Sequence, residues 1–213
     1  MLKCAVAHSN DPDSLMAITE AIDECTDSLA GISPQAGILF TAIDFEHELI
    51  LKKIQDAFPG IALIGGTTNG EISSKLAFQQ DSLTLMLFAS DHIEIRAGLG
   101  RSASQDPSQA AQQAIAQAKA NSSSSAPTKL CLTFPESLTS SGVVMLEGLK
   151  RGLGEDVPIV GGMTADDYTF EKTYQFFQDQ VLSDSVPVLI FSGDLLVSHG
   201  VSSGWQPISP KSY

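Results

Sequence analysis

Two short segments carry the residues best suited to chemistry. IALIGGTTNGE occupies residues 61–71 and VPIVGGMTADD occupies residues 157–167. Each runs from a few apolar residues into a Gly-Gly pair and then into small polar and acidic side chains. Glycine permits positive φ and lets another group approach the backbone closely. The first segment offers Gly65 and Gly66, the hydroxyls of Thr67 and Thr68, the Asn69 amide, Gly70 and the Glu71 carboxylate. The second offers Gly161, Gly162, Thr164, Asp166 and Asp167. Hydroxyls, amides and open backbone N–H groups hold a polar ligand, and a carboxylate holds an ammonium or a guanidinium. The plainer reading of both segments is a tight turn with solvated polar residues.

The strand-to-helix junctions supply a second set: Thr41, Ala42, Asp44 and Phe45, then Thr133, Pro135, Glu136, Ser140 and Ser141. Asp44 and Thr139 read as helix caps. A helix N-terminus also attracts a ligand carboxylate, so an acidic corner facing one suits a zwitterion such as an amino acid. Glu136 and Ser140 therefore join the two glycine segments as ligand-binding candidates. Nothing points to catalysis. GxGxxG, P-loop and GxSxG motifs are absent, and His8, His47, His92 and His199 are scattered, which argues against a metal site. The corner hydroxyls have no base beside them in sequence, so the chain is not read as an enzyme. A hydrolase using Thr67, Thr68 or Ser140 stays as an alternative that needs such a base in space.

Composition narrows the partners. The 213 residues carry 12 Lys+Arg against 25 Asp+Glu, a net charge of −13. That excess speaks against nucleic acid, which needs clustered basic residues, and against an anionic membrane surface. No stretch approaches the roughly 18 apolar residues of a membrane span, and the apolar run Cys4–Ala7 is too short for a signal-peptide core. The cysteines, Cys4, Cys25 and Cys131, are odd in number and lack CxxC spacing. Cys4 and Cys131 read as small core residues, Cys25 lies on a helical pattern, and a reducing cytoplasm is the expected setting. No cofactor is implied.

The elements that position these residues recur. Strands are expected near 3–8, 36–42, 61–64, 83–89, 93–98, 129–134, 157–160, 186–192 and 195–201. Helices are expected near 12–29 (capped by Asn10 or Asp11), 46–57, 108–120 and 139–153, with a surface loop at 121–125. The Gly-Gly pairs lie 96 residues apart, SLTLMLFASD matches SVPVLIFSGD, and ILFTAIDFE matches LCLTFPESL. Residues 83–98 and 186–201 read as hairpins turning at Ser90–His92 and at Gly193-Asp194. The expectation is an α/β fold, one mixed sheet built from two β-α-β-α-β-β repeats (about 3–91 and 92–201) with pseudo-two-fold symmetry. A four-layer αββα sandwich is the alternative. Trp205 reads as packing over an exposed edge or as the contact of a partner segment.

The corner Gly65-Gly66-Thr67-Thr68-Asn69-Gly70-Glu71, followed by SLTLMLFASDHIEIRAGLG, resembles the FIST N domain, the N-terminal sensory domain of F-box and intracellular signal transduction proteins. FPESLTSS and PIVGGMTADD resemble its later half, and the likeness runs from about residue 3 to Pro210. It implies a single sensory domain of bacterial signal transduction over residues 1–213, binding small ligands such as amino acids. It also implies as partners a C-terminal FIST half or a downstream signalling module, so that the chain is the N-terminal part of a longer one. The second corner departs from the pattern, with Met163 for a threonine and Asp166-Asp167 for Gly-Glu. A protein-interaction scaffold is the remaining alternative.

Overall fold

The computed structural model describes residues 1–122, 125–200, 202 and 204. In chain order the elements are β1 (Lys3–Ser9), α1 (Ser14–Leu29), β2 (Ala36–Thr41), α2 (His47–Ala57), β3 (Ala62–Thr67), β4 (Glu71–Ser73), β5 (Ala77–Gln79) and β6 (Leu83–Ala89). They continue as β7 (Ile93–Arg101), α3 (Pro107–Ala120), β8 (Thr128–Thr133), α4 (Gly142–Leu153), β9 (Ile159–Gly161), β10 (Gln175–Phe177), β11 (Gln180–Leu182) and β12 (Ser185–Gly193). The helices begin where side chains satisfy their first N–H groups. Asp13, not Asn10 or Asp11, caps α1, accepting from the N–H groups of Leu15 and Met16. Asp106 caps α3 ahead of Pro107. Ser141, not Thr139, caps α4. Asp44 caps nothing: α2 has no side-chain cap, and the Glu46 N–H donates to Ser14 Oγ at 2.9 Å.

The strands form two main sheets where one was expected. One has the order β1-β6-β2-β3-β10-β11, the other β7-β12-β8-β9, and β4-β5 make a two-stranded sheet of their own. β6 and β7 are consecutive yet lie in different sheets, so 83–98 is not a hairpin. Both edges of β6 are already paired, with β1 and β2, and the chain has to cross at Ser90–His92 to continue. The same holds after β12, whose edges pair with β7 and β8. Residues 195–200 are accordingly irregular, His199 is on no strand, and Val201 lies outside the described residues, as do Trp205, Pro210 and residues 123–124 of the expected surface loop.

Three clusters of buried side chains define the layers. The first joins α1 and α2 to one sheet through Ile18, Leu29, Ile50, Ile54, Leu39, Leu63, Leu85 and Leu87. The second joins α3 and α4 to the other sheet through Ala111, Ile115, Leu149, Val186, Val188 and Ile190. The third lies between the sheets and contains Ile38, Ile64, Phe88, Ile95, Leu189 and Phe191. Alternate residues of one strand thus serve different layers, as in Leu63 toward the helices and Ile64 between the sheets. This is the four-layer αββα arrangement. Cys25 and Cys131 are buried in the helix-side layers, and burial pushes both thiols up to about 12. Cys4 is exposed, contrary to its expected core place.

The order β1-β6-β2-β3 recurs as β7-β12-β8-β9, with β2/β3 and β8/β9 parallel and the other pairs antiparallel. Register differs between the two. Thr41 pairs with Thr67, whereas its sequence counterpart Thr133 pairs with Gly161, the counterpart of Gly65. The parallel partner is shifted by two residues. Gly65 and Gly66 are not a turn but lie inside β3, which pairs with β10 on its far side. A Cβ on Gly66 would stand 2.3 Å from Thr164 Cγ2 and 2.7 Å from the Tyr174 carbonyl oxygen, whereas one on Gly162 would meet nothing within 4 Å. Gly66→Ala is expected to cost about 1–3 kcal/mol through overpacking, and Gly162→Ala to stay within about 0.5 kcal/mol. Urea denaturation of both variants checks this; equal effects would contradict the asymmetry.

Candidate functional site

β3 ends at the mouth between the two sheets, and its last residues tie the two corners together. Thr67 is fully buried, donating its N–H to the Tyr174 carbonyl oxygen at 3.0 Å and accepting at Oγ1 from the Tyr174 N–H at 3.1 Å. Its carbonyl oxygen accepts from the Ala165 N–H of the second corner at 2.8 Å, and Asn69 Oδ1 accepts from the Asp167 N–H at 2.7 Å. Thr164 donates through both N–H and Oγ1 to the Pro135 carbonyl oxygen. The Thr41 hydroxyl, also fully buried, has no partner among the described residues.

The acidic candidates play different parts. Glu71 is buried, and Thr68 Oγ1 donates to Oε1 at 2.5 Å while Ser82 Oγ donates to Oε2. Ser82 Oγ lies 2.9 Å from His8 Nε2, and His8 Nδ1 lies 2.7 Å from Ser73 Oγ. Because Ser82 gives its proton to Glu71, its oxygen accepts from His8 Nε2–H, and Nδ1 accepts from Ser73. The run Ser73–His8–Ser82–Glu71–Thr68 is thereby directed along its whole length. Asp166 is buried as well. Burial acts to raise its carboxyl, but the Thr169 hydroxyl and the N–H groups of Glu171, Phe170 and Lys172 outweigh this and hold it below the usual carboxylate range. It closes a loop in which Asp167, Tyr168 and Phe170 have φ of 53°, 62° and 55°, a conformation that L-residues enter only when held there.

Glu136 faces inward. Its Oε1 accepts from the Leu138 N–H at 2.6 Å, and its Oε2 from Thr173 Oγ1 at 3.0 Å and Gln175 Nε2 at 3.3 Å. It organises a buried polar cluster beneath the second corner. Ser140 donates to the Glu136 carbonyl oxygen at 3.1 Å inside its own turn. Gly161 and Gly162 are exposed at the end of β9. The residues left facing open space are Thr68, Asn69 and Gly70 of the first corner and Gly161, Gly162, Met163 and Asp167 of the second.

Two small clefts meet there. One, of about 170 Å³, is lined by Thr68, Asn69 and Gly70 together with Asp44, Asp81 and Asp167 and by no basic residue. The other, of about 180 Å³, is lined by Thr67, Thr68, Gly162, Met163, Thr164 and the rings of Phe40 and Phe134. Those rings meet edge to face, with centroids 4.7 Å apart, across the gap between the sheets. Thr68 belongs to both clefts, so both corners line one mouth. Asp81 and Phe134 were not among the sequence candidates. Asp81 follows β5, a strand of three residues with too short a pattern to read from sequence, and Phe134 looks like an ordinary strand end. No described group of His, Cys, Asp and Glu is disposed to hold a metal ion, and no described helix is long and apolar enough to cross a membrane.

The FIST N domain profile matches residues 35–213, from the start of β2 onward. The chain belongs to the FIST N domain family. No curated protein matches it. Among solved structures, a cyanuric acid hydrolase from A. caulinodans aligns over 97% of this chain and 69% of its own at 12% identity, with a TM-score of 0.38. At that score the likeness says nothing about the activity of this FIST N domain.

The buried network yields a pH signature. Burial pushes the Glu71 carboxyl above its ordinary value, with the Ser82 and Thr68 hydroxyls opposing. The folded domain then keeps this proton to a higher pH than the unfolded chain does. Glu71 therefore costs stability as pH rises from the unfolded carboxyl value of about 4.3 through the raised folded value, and the cost stays constant above it. Gln175 shows that an amide fits such a place, since its Oε1 accepts from Ser185 Oγ at 3.1 Å. Glu71→Gln should gain stability relative to the parent as pH rises from 4 to 8. Urea midpoints measured across that range check it, and a gap that is flat or shrinks with pH would contradict it.

Proposed function

We propose that this domain is a small-molecule-binding sensory module of a bacterial signal-transduction protein, acting in the cytoplasm. Its ligand is an amino acid or a related amine-bearing metabolite held at the mouth between the corners, with no chemical step. The observation that carries this reading is that Thr68 lines both an acidic cleft and an apolar one. An ammonium group fits among Asp44, Asp81 and Asp167, and a short apolar body fits beside Phe134 and Met163. Pockets for drug-sized ligands run to about 300–1,000 Å³, so clefts of about 170 and 180 Å³ suit a small metabolite better than a nucleotide. Membership of a sensory-domain family supports the same class. The helix N-terminus expected to receive a ligand carboxylate is less open than the sequence implies, because the Glu46 N–H is taken by Ser14. The ammonium is thus the end that the site reads. The signal then passes to a C-terminal FIST half or a downstream signalling module.

The Thr68–Glu71 hydrogen bond of 2.5 Å favours one second reading, a hydrolase with Thr68 as nucleophile and Glu71 as base. Glu71 is also held by Ser82 and is only 3% exposed, so it is better placed to orient Thr68 than to exchange protons with a substrate. A thermal-shift and calorimetry panel of amino acids and small amines tests the binding reading. A ligand at a hundredfold excess over Kd should stabilise the domain by about 2.7 kcal/mol, and the double variant Asp44→Asn with Asp167→Asn should weaken it about tenfold or more. Absence of any stabilising amine or amino acid would sink the proposal. Ester or amide hydrolysis lost in Thr68→Val would favour the enzyme instead.

A further inference from the structure

The hairpin β10–β11 does for β3 what no described strand does for β9. β10 pairs with the outer edge of β3, and Ile64, Gly65, Gly66 and Thr67 are all buried beneath it. Their sequence counterparts Val160, Gly161, Gly162 and Met163 are all exposed, Val160 by 42% and Met163 by 40%. In the first half Phe176 of β10 is fully buried and reaches the helix layer, its ring 5.2 Å from that of His47 on α2. In the second half the corresponding place between α4 and β9 is an apolar groove of about 330 Å³, lined by Met145, Leu146, Leu149, Ile159 and Met163.

The chain also carries a hairpin that no other described strand extends. β4–β5 stands alone as a two-stranded sheet. Its place in the first half matches that of β10–β11 in the second. Glu71 accepts from Ser82 just as Gln175 accepts from Ser185, each serine lying at the start of the next long strand. The next residue is Ile72 in one hairpin and Phe176 in the other. Phe176 is 0% exposed, while Ile72 is 78% exposed beside its cross-strand partner Phe78, itself 55% exposed. An apolar knob and an apolar groove of matching kind thus both lie open on one molecule. Adding a strand to such an open edge satisfies its backbone groups and seats the knob in the same step.

We propose that the β4–β5 hairpin of a second copy of this chain docks on β9, with Ile72 inserted between α4 and β9, and that the exchange is reciprocal. Each copy offers the outer edge of β9 and the β4–β5 hairpin, so two copies can satisfy both in a closed two-fold pair. The pairing of β10 with β3 is the pattern for it within one chain. Each copy has a net charge of −13, so the pair should tighten as salt is added. Sedimentation velocity of the whole chain over a range of concentrations and salt tests this. A dimer that strengthens with salt is expected. Ile72→Asp and Met163→Asp should each raise the dimer dissociation constant about tenfold or more, with circular dichroism unchanged. Ile32→Asp, at an exposed site on the loop after α1, should leave it as it is. A monomer at all concentrations, or a dimer indifferent to both Ile72→Asp and Met163→Asp, would overturn the proposal.

Discussion

β6 and β12 are each hydrogen-bonded along both edges, and the architecture follows from that saturation. A strand with two partners cannot fold back on the strand that comes next, so the chain must leave the sheet after each of them. After β6 it leaves to start a second sheet. The two sheets then have to cover each other's inner faces, and Ile38, Ile64, Phe88, Ile95, Leu189 and Phe191 form the dry layer between them. The helices are confined to the outside, one pair per sheet. The open ends of β2 and β3 come to face residues 133–135 and 161–167 across the gap, and this is why the two corners meet.

Where the corners meet, the polar groups divide into those that build and those that face outward. Glu136, Gln175, Thr173 and Thr164 satisfy one another beneath the second corner, and Thr68, Glu71, Ser82 and His8 do so beneath the first. A buried polar group without a partner is costly, so each such network demands one arrangement of its loops. The strained loop at Asp167, Tyr168 and Phe170 is affordable because the Asp166 carboxylate gathers several donors at once. Of the side chains left over, Thr68 is held by Glu71 and Asn69 by the Asp167 N–H, while the exposed carboxylates of Asp44, Asp81 and Asp167 line the cleft beside them.

Much of this was legible in the sequence. Long apolar runs with helical stretches between them identify the long strands and the helices of the described residues, and SLTLMLFASD against SVPVLIFSGD reveals a repeated order. The short hairpins β4–β5 and β10–β11 escaped, because three-residue strands such as Glu71–Ser73 and Gln175–Phe177 have too little periodicity to stand out. The division into two sheets escaped too. Ser90–His92 has the composition of a hairpin turn, and only the double pairing of β6 shows that it is a crossing. At the site, the acidic and hydroxyl residues other than Asp81 were identifiable by type. Their direction was not: Glu136 reads like Asp44 in sequence, yet one carboxylate is saturated inside and the other is exposed.

The two-residue difference between the β2/β3 and β8/β9 pairings has one further consequence. Side chains of a strand alternate between faces, so a slip by one would turn every apolar residue to the wrong layer, while a slip by two leaves each on its own side. Leu63 and its counterpart Ile159 both still point to their helices despite the offset. The fold thus accommodates a strand set two residues further along at the mouth, presenting different residues there while both cores stay intact.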